Sequence, residues 1–89
     1  IITSMLHPLV NWVSTALILL NNQIPESGVD IIKRLEKLKE KKLSKWLKIT
    51  RRIWDGEMLQ LSKEETEEIL NLIEDKLKEC YIKLEEYDE

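Results

Sequence analysis

His7 and Cys80 are the only histidine and the only cysteine in the chain, and they are the side chains best suited to form a nucleophile and its base. Such a pair requires the thiol and the imidazole to lie side by side in a cleft. Cys80 falls among regularly spaced apolar residues, a position typical of a small core side chain. His7 precedes Pro8 at a predicted helix start. We therefore expect both residues to be structural.

The sequence also lacks the residue patterns that are typical of metal binding and of acid–base catalysis. One histidine and one cysteine cannot supply a zinc ligand set with the usual spacings. Glu64 and Glu68 can meet on one helix face, but an exposed acidic face lacks the burial that tunes carboxylates for proton transfer. The chain has two glycines and no glycine-rich phosphate loop. We therefore expect a protein that is not an enzyme and that needs no cofactor or metal.

The length and composition favour one small domain over residues 1–89. Leu, Ile, Lys and Glu dominate its 89 residues, and the two glycines and two prolines leave few interruptions. Residues 1–25 contain no charged side chain, yet His7, Pro8 and Asn11 interrupt them, so we expect neither a membrane span nor a signal peptide. With a single cysteine there is no internal disulfide, and a cytoplasmic location is expected.

Helical spacing of apolar residues predicts three helices, at about 8–21, 29–54 and 63–87. Ser4 or His7 is the predicted cap of the first helix. Its apolar residues form one wide arc, opposite an uncharged polar arc of His7, Asn11, Ser14, Thr15 and Asn21 with Ile18 among them. The wide arc comprises Leu6, Leu9, Val10, Trp12, Val13, Ala16, Leu17, Leu19 and Leu20.

The last helix has the clearest local signal, because Ser62 and Glu65 form a capping box. Its predicted apolar stripe comprises Ile69, Leu70, Ile73, Leu77, Cys80, Tyr81, Leu84 and Tyr87, with Leu72 and Ile82 outside. Short connections predict an all-α, small antiparallel bundle of three helices, or four if the middle helix breaks near Leu43–Ser44. We favour the unbroken form because helical phase is preserved through that point.

Charge is strongly polarised along the chain. Residues 33–52 carry a net charge of +8 and residues 53–89 a net charge of −9, although the whole chain has a net charge of only −3. An unbroken middle helix would gather eight bases within roughly 120°. Trp54 follows two of them and would extend the band at its end. The predicted partner-binding residues are therefore Lys33, Arg34, Lys37, Lys41, Lys45, Lys48, Arg51, Arg52 and Trp54.

This band favours a protein-interaction module of the small-subunit, inhibitor, immunity or adaptor type, with an acidic protein surface as its partner. The first helix offers a second docking surface, and a homodimer could form through residues 5–20. The alternative is a protein that binds nucleic-acid backbone without sequence preference. The negative net charge and the excess of lysine over arginine count against that alternative. A merely solvated lysine face is the remaining interpretation.

Overall fold

The computed structural model describes residues 5–57 and 60–87, and this part of the chain is entirely helical apart from its connections. It contains α1 (Leu6–Leu20), α2 (Gly28–Lys37), α3 (Lys41–Trp54) and α4 (Lys63–Tyr87). The predicted all-α bundle is confirmed. The predicted cap Ser4 lies outside the described residues, and Met5 precedes α1 without a side-chain cap.

The middle segment is two helices, so the favoured continuous helix over 29–54 is wrong. The break also lies before Leu43–Ser44, at residues 38–40. Lys39 adopts a left-handed φ of 63°. The N–H of Glu40 donates to the carbonyl of Leu35 at 2.8 Å, and that of Lys39 donates to Glu36 at 3.1 Å. This pair of bonds is a Schellman motif, which ends α2 and turns the chain back.

The contacts at the two ends of α3 fix the directions of its neighbours. Glu36, near the end of α2, accepts hydrogen bonds from Ser44 at 3.4 Å and Lys48 at 3.1 Å, so α2 and α3 are antiparallel. His7, at the start of α1, lies 3.3 Å from Thr50 near the end of α3, so α1 and α3 are antiparallel as well. It follows that α1 and α2 run in the same direction, which differs from the antiparallel order predicted for successive helices.

The connection 21–27 therefore returns along α1 before α2 begins. Ser27 caps α2, because its hydroxyl accepts the Asp30 N–H at 3.2 Å. The guanidinium of Arg51 lies against Gly28, so a side chain at that position would collide with it. These contacts hold the start of α2 beside the end of α3.

The core is built around α1, which contacts each of the other three helices. Trp46 is the largest of the fully buried side chains and is only 1% exposed. Its buried indole N–H has no hydrogen-bond partner in the described part of the chain. The buried apolar residues are Leu6, Val10, Val13, Leu17, Ile18, Ile31, Leu35, Leu43, Trp46, Leu47, Ile69, Leu72, Ile73 and Cys80.

A shielded ion pair attaches α4 to the turn between α2 and α3. The ammonium of Lys76 lies 2.7 Å from Glu40 and 3.1 Å from Glu79. Burial alone would lower the pKa of Lys76, but the hydrogen bonds and charges of these two carboxylates outweigh it and raise the pKa above its ordinary value. Because Glu40 is also the residue before α3, this pair fixes the break relative to α4.

The left-handed residue at the break leads to a first prediction. We expect Lys39→Gly to stabilise the fold by roughly 0.5 to 1 kcal/mol, because glycine adopts positive φ without the steric cost that lysine has. Urea denaturation followed by circular dichroism measures this change. The control is Lys33→Gly, an exposed site inside α2, which should destabilise by about 1 kcal/mol. Equal destabilisation by both variants would mean that residue 39 is helical and that the break is absent.

Candidate interaction surface

The predicted cationic residues do not form one band. Because the turn at 38–40 reverses the chain, Lys33, Arg34 and Lys37 lie on a helix antiparallel to the one that carries the remaining bases. The predicted eight-residue arc is therefore wrong. What survives is a four-residue stripe on α3 alone, at spacings of four, three and four, formed by Lys41, Lys45, Lys48 and Arg52.

Half of the eight bases are paired with acids of the same chain. Exposed ion pairs contribute only roughly 0 to 1 kcal/mol to stability, but each one reduces the charge available to a partner. The pairs are Arg34–Asp30 at 2.8 Å, Lys48–Glu36 at 3.1 Å, Arg51–Asp55 at 3.7 Å and Arg52–Glu57 at 2.6 Å. Lys33, Lys37, Lys41 and Lys45 form no ion pair within residues 5–57 and 60–87.

Trp54 is half exposed, and it packs against His7 of α1 rather than at the end of a cationic band. Its ring centroid lies 5.9 Å from that of His7, with the planes tilted by 39°. The guanidinium of Arg51 faces Gly28 and Asp55. The end of α3 therefore packs on the start of α1, and the tryptophan serves this packing as well as the surface.

The setting of α1 in the bundle exposes part of its apolar arc. Met5, Leu9, Trp12 and Leu19 are exposed, and Trp12 is 68% exposed. They follow one another at spacings of four, three and seven, and half-buried Ala16 fills the longer interval, so they form one stripe along the helix. Ile18 and Ser14, on the predicted polar arc, are fully buried instead.

The apolar stripe of α4 is likewise only partly used by the core. Ile69, Ile73 and Cys80 are buried as predicted, and so is Leu72, which the prediction placed outside the stripe. The predicted members Leu77, Tyr81 and Leu84 are exposed, and Tyr81 is 67% exposed. The side chain of Tyr87, also predicted in this stripe, lies outside the described part. The core side of α4 is thus rotated away from the centre of its apolar stripe.

The two exposed stripes lie on the same side of the molecule. At about 100° per residue, the α1 stripe is on the opposite side of its helix from His7, and His7 contacts α3. The α4 stripe is on the opposite side of its helix from Glu79, which lines a depression together with Glu40 at the start of α3. Both stripes therefore point away from α3. Asn21, just after α1, accepts a hydrogen bond from Lys83 of α4 at 3.4 Å, so the two helices are neighbours.

We call this surface the α1–α4 face. It is defined by seven exposed apolar residues: Met5, Leu9, Trp12, Leu19, Leu77, Tyr81 and Leu84. Exposed apolar side chains grouped on two neighbouring helices are typical of a contact surface. Trp and Tyr are also the side chains most enriched at protein interfaces. The sequence contained one signal for it, namely that nine apolar residues on α1 are more than one buried side of a helix accommodates.

The residues considered for chemistry are placed as structural side chains. Cys80 is buried, and burial raises the pKa of its thiol. Within residues 5–57 and 60–87, no cluster of three or more His, Cys, Asp or Glu side chains is arranged to hold a metal.

In the same part of the chain, no helix combines the length and apolar character needed to cross a bilayer. Searches against protein families, curated proteins and solved structures gave no match.

The environment of the single histidine gives a prediction that NMR can check directly. Burial lowers the pKa of His7 below 6.5, nearby Arg51 lowers it further, and Asp55 partly opposes them. We expect the imidazole Cε1 proton to titrate below pH 6.5, and Arg51→Gln to raise its pKa. Because the unfolded chain binds the proton more readily, stability is complete above about pH 6.5 and falls as the pH drops below it. A pKa at or above 6.5 would contradict this environment.

Proposed function

We propose that the protein is a non-enzymatic helical interaction module and that its partner docks on the α1–α4 face. The observation that carries this proposal is the alignment of seven exposed apolar side chains on two neighbouring helices. Removing such side chains from water supplies roughly 25 cal/mol per Å² of apolar area, which is the main source of affinity in protein association. The module binds through this apolar surface.

The cationic residues support the proposal less strongly than the sequence suggested. The turn at 38–40 separates them into two groups, and acids of the same chain pair with four of the eight. What remains for an acidic partner is Lys41 and Lys45 on α3 and Lys33 and Lys37 on α2. The ammonium of Lys45 lies 4.5 Å above the ring of Trp46, an additional contact within the molecule. Through long-range attraction, these lysines can raise the rate of association with an acidic partner.

Two features favour binding over catalysis. The thiol of Cys80 has a raised pKa and is buried, so it is protonated and inaccessible at neutral pH. The imidazole of His7 contacts Thr50 and Trp54, which fixes its ring within the packing between α1 and α3. Neither side chain faces the α1–α4 face, where the exposed groups are hydrocarbon and aromatic.

Trp12 is the expected centre of the docking surface. It lies near the middle of the α1 stripe, with Leu9 on one side and Leu19 on the other, and it is more exposed than either. Large aromatic residues near the middle of an interface commonly contribute 2 kcal/mol or more to binding. In the unbound molecule the same ring contributes little to the core, so it can be changed without unfolding the bundle.

Trp12→Glu tests the docking surface. We expect it to weaken partner binding at least roughly thirtyfold, because the indole contact is lost and a charge is placed on the apolar face. Val29→Glu is the matched control, since Val29 is an exposed apolar residue on α2, outside the α1–α4 face. The measurement is affinity capture from native cell extract with quantitative mass spectrometry. Retention of the same captured proteins by Trp12→Glu and wild type would refute the proposed surface.

Binding of nucleic-acid backbone is the second candidate, and it rests on the two unpaired lysines one turn apart, Lys41 and Lys45. Fluorescence anisotropy with a labelled random oligonucleotide over a salt series separates it from protein docking. We expect no binding even at low salt. Affinity that falls steeply with salt and disappears in Lys41→Glu/Lys45→Glu, while Trp12→Glu retains it, would favour this candidate over ours.

A further inference from the structure

We infer that the partner on the α1–α4 face is a second copy of this chain, packed with the two α1 helices parallel and side by side. This inference rests on the proposed function and names the occupant of the same surface. It follows from the spacing of the α1 stripe, from the lack of charge on α1, and from the charges at the two edges of the face.

The spacing of the α1 stripe suits packing against another helix. From Met5 to Leu19, through Leu9, Trp12 and Ala16, successive members are four, three, four and three residues apart. This alternation keeps one line of side chains facing a partner helix that crosses at a small angle, as in coiled coils. The 15 residues of α1 extend over about 22 Å at roughly 1.5 Å per residue, enough for two such repeats.

The lack of charge on α1 fits a symmetric partner. In a two-fold interface, a residue near the axis lies close to its own copy, so a charge there would meet the same charge. Residues 1–25 contain no Asp, Glu, Lys or Arg, although charged residues make up 35% of the chain. The α1 stripe can therefore pair with itself without electrostatic cost. Both α2 and α4 carry acids and bases, and α3 carries six bases.

The edges of the face select the relative direction of the two copies. Both α2 and α4 contact α1 but have at most slight contact with each other, so they lie on different sides of it. On the α4 side, exposed Glu85 directly follows Leu84 of the stripe. On the α2 side, Lys33 and Lys37 are exposed and form no ion pair in the described residues.

A two-fold axis parallel to α1 brings the acidic edge of one copy opposite the basic edge of the other. An axis perpendicular to α1 would instead set α4 against its own copy, with acids facing acids. Because like charges repel across an interface and opposite charges attract, the charges favour the first arrangement. The two α1 helices are then parallel, and Leu19 of one copy meets Leu19 of the other.

Engineered disulfides test the arrangement directly. In a Cys80→Ala background, we expect Leu19→Cys alone to form a linked dimer on mild oxidation, because its sulfurs can meet only if the Cα atoms are within about 5.5 to 7 Å. Val29→Cys in the same background is the control and should form no disulfide-linked dimer. If Leu19→Cys fails to link by itself but links to Met5→Cys in a mixture, the helices are antiparallel and the inference is overturned.

Sedimentation velocity provides the second arm and separates this inference from the proposed function. We expect a dimer of the wild-type chain that Trp12→Glu converts to monomer and Val29→Glu does not. Lys33→Glu/Lys37→Glu should weaken the dimer about tenfold, and adding Glu85→Lys should recover part of that loss. A wild-type monomer at high concentration overturns the second copy. If the wild-type chain is a monomer and Trp12→Glu still captures fewer proteins from cell extract than wild type, the α1–α4 face is a docking surface for a different partner.

Discussion

The organisation of this protein depends on an uncharged helix at its centre. Because α1 has no charged side chain, it can be surrounded by α2, α3 and α4 without leaving an ion in the interior, where an unpaired charge is costly. Its polar residues are satisfied locally: the hydroxyl of Ser14 donates to the carbonyl of Val10 at 2.7 Å, and His7 meets Thr50 at 3.3 Å. The helix therefore tolerates burial of its polar arc, and this setting turns one line of its apolar arc outward.

The charged helices are arranged around this centre and neutralise one another more than their sequence suggests. Lys76 lies between Glu40 and Glu79 at only 16% side-chain exposure. Four of the eight cations that were predicted to form one band also pair with nearby acids. Much of the polarity along the chain thus acts within the molecule. The apolar surface on α1 and α4 has no such partner among residues 5–57 and 60–87, and we therefore propose docking there.

Several features could be predicted from the residues alone because their causes are local. The capping box is present, with the Glu65 N–H donating to Ser62 and the Ser62 N–H donating to the Glu65 carboxylate, both at 3.0 Å. It fixes the start of α4 at Lys63. The burial of Cys80 also follows from its position on the apolar stripe of α4.

The remaining features depend on the tertiary structure. The break at 38–40 preserves the apolar phase on both sides, and its left-handed residue is Lys39 rather than the usual glycine, so no periodicity or turn residue marks it. The rotation of α1 and α4 could not be predicted either, because each apolar arc is wider than the side that its neighbours bury. Which part of a wide arc is buried is decided by packing among all four helices, and only the coordinates show it.

The central claim is that the outer line of α1, and Trp12 within it, is covered when the protein acts. Fluorine NMR of the chain labelled with 5-fluorotryptophan observes this directly, since Trp12, Trp46 and Trp54 give three signals that single substitutions assign. Over a series of protein concentrations, we expect the Trp12 signal to move and to lose its solvent isotope shift, while the buried Trp46 signal stays fixed. A Trp12 signal that remains constant and solvent-exposed up to the highest concentration would contradict coverage of this line by a second copy.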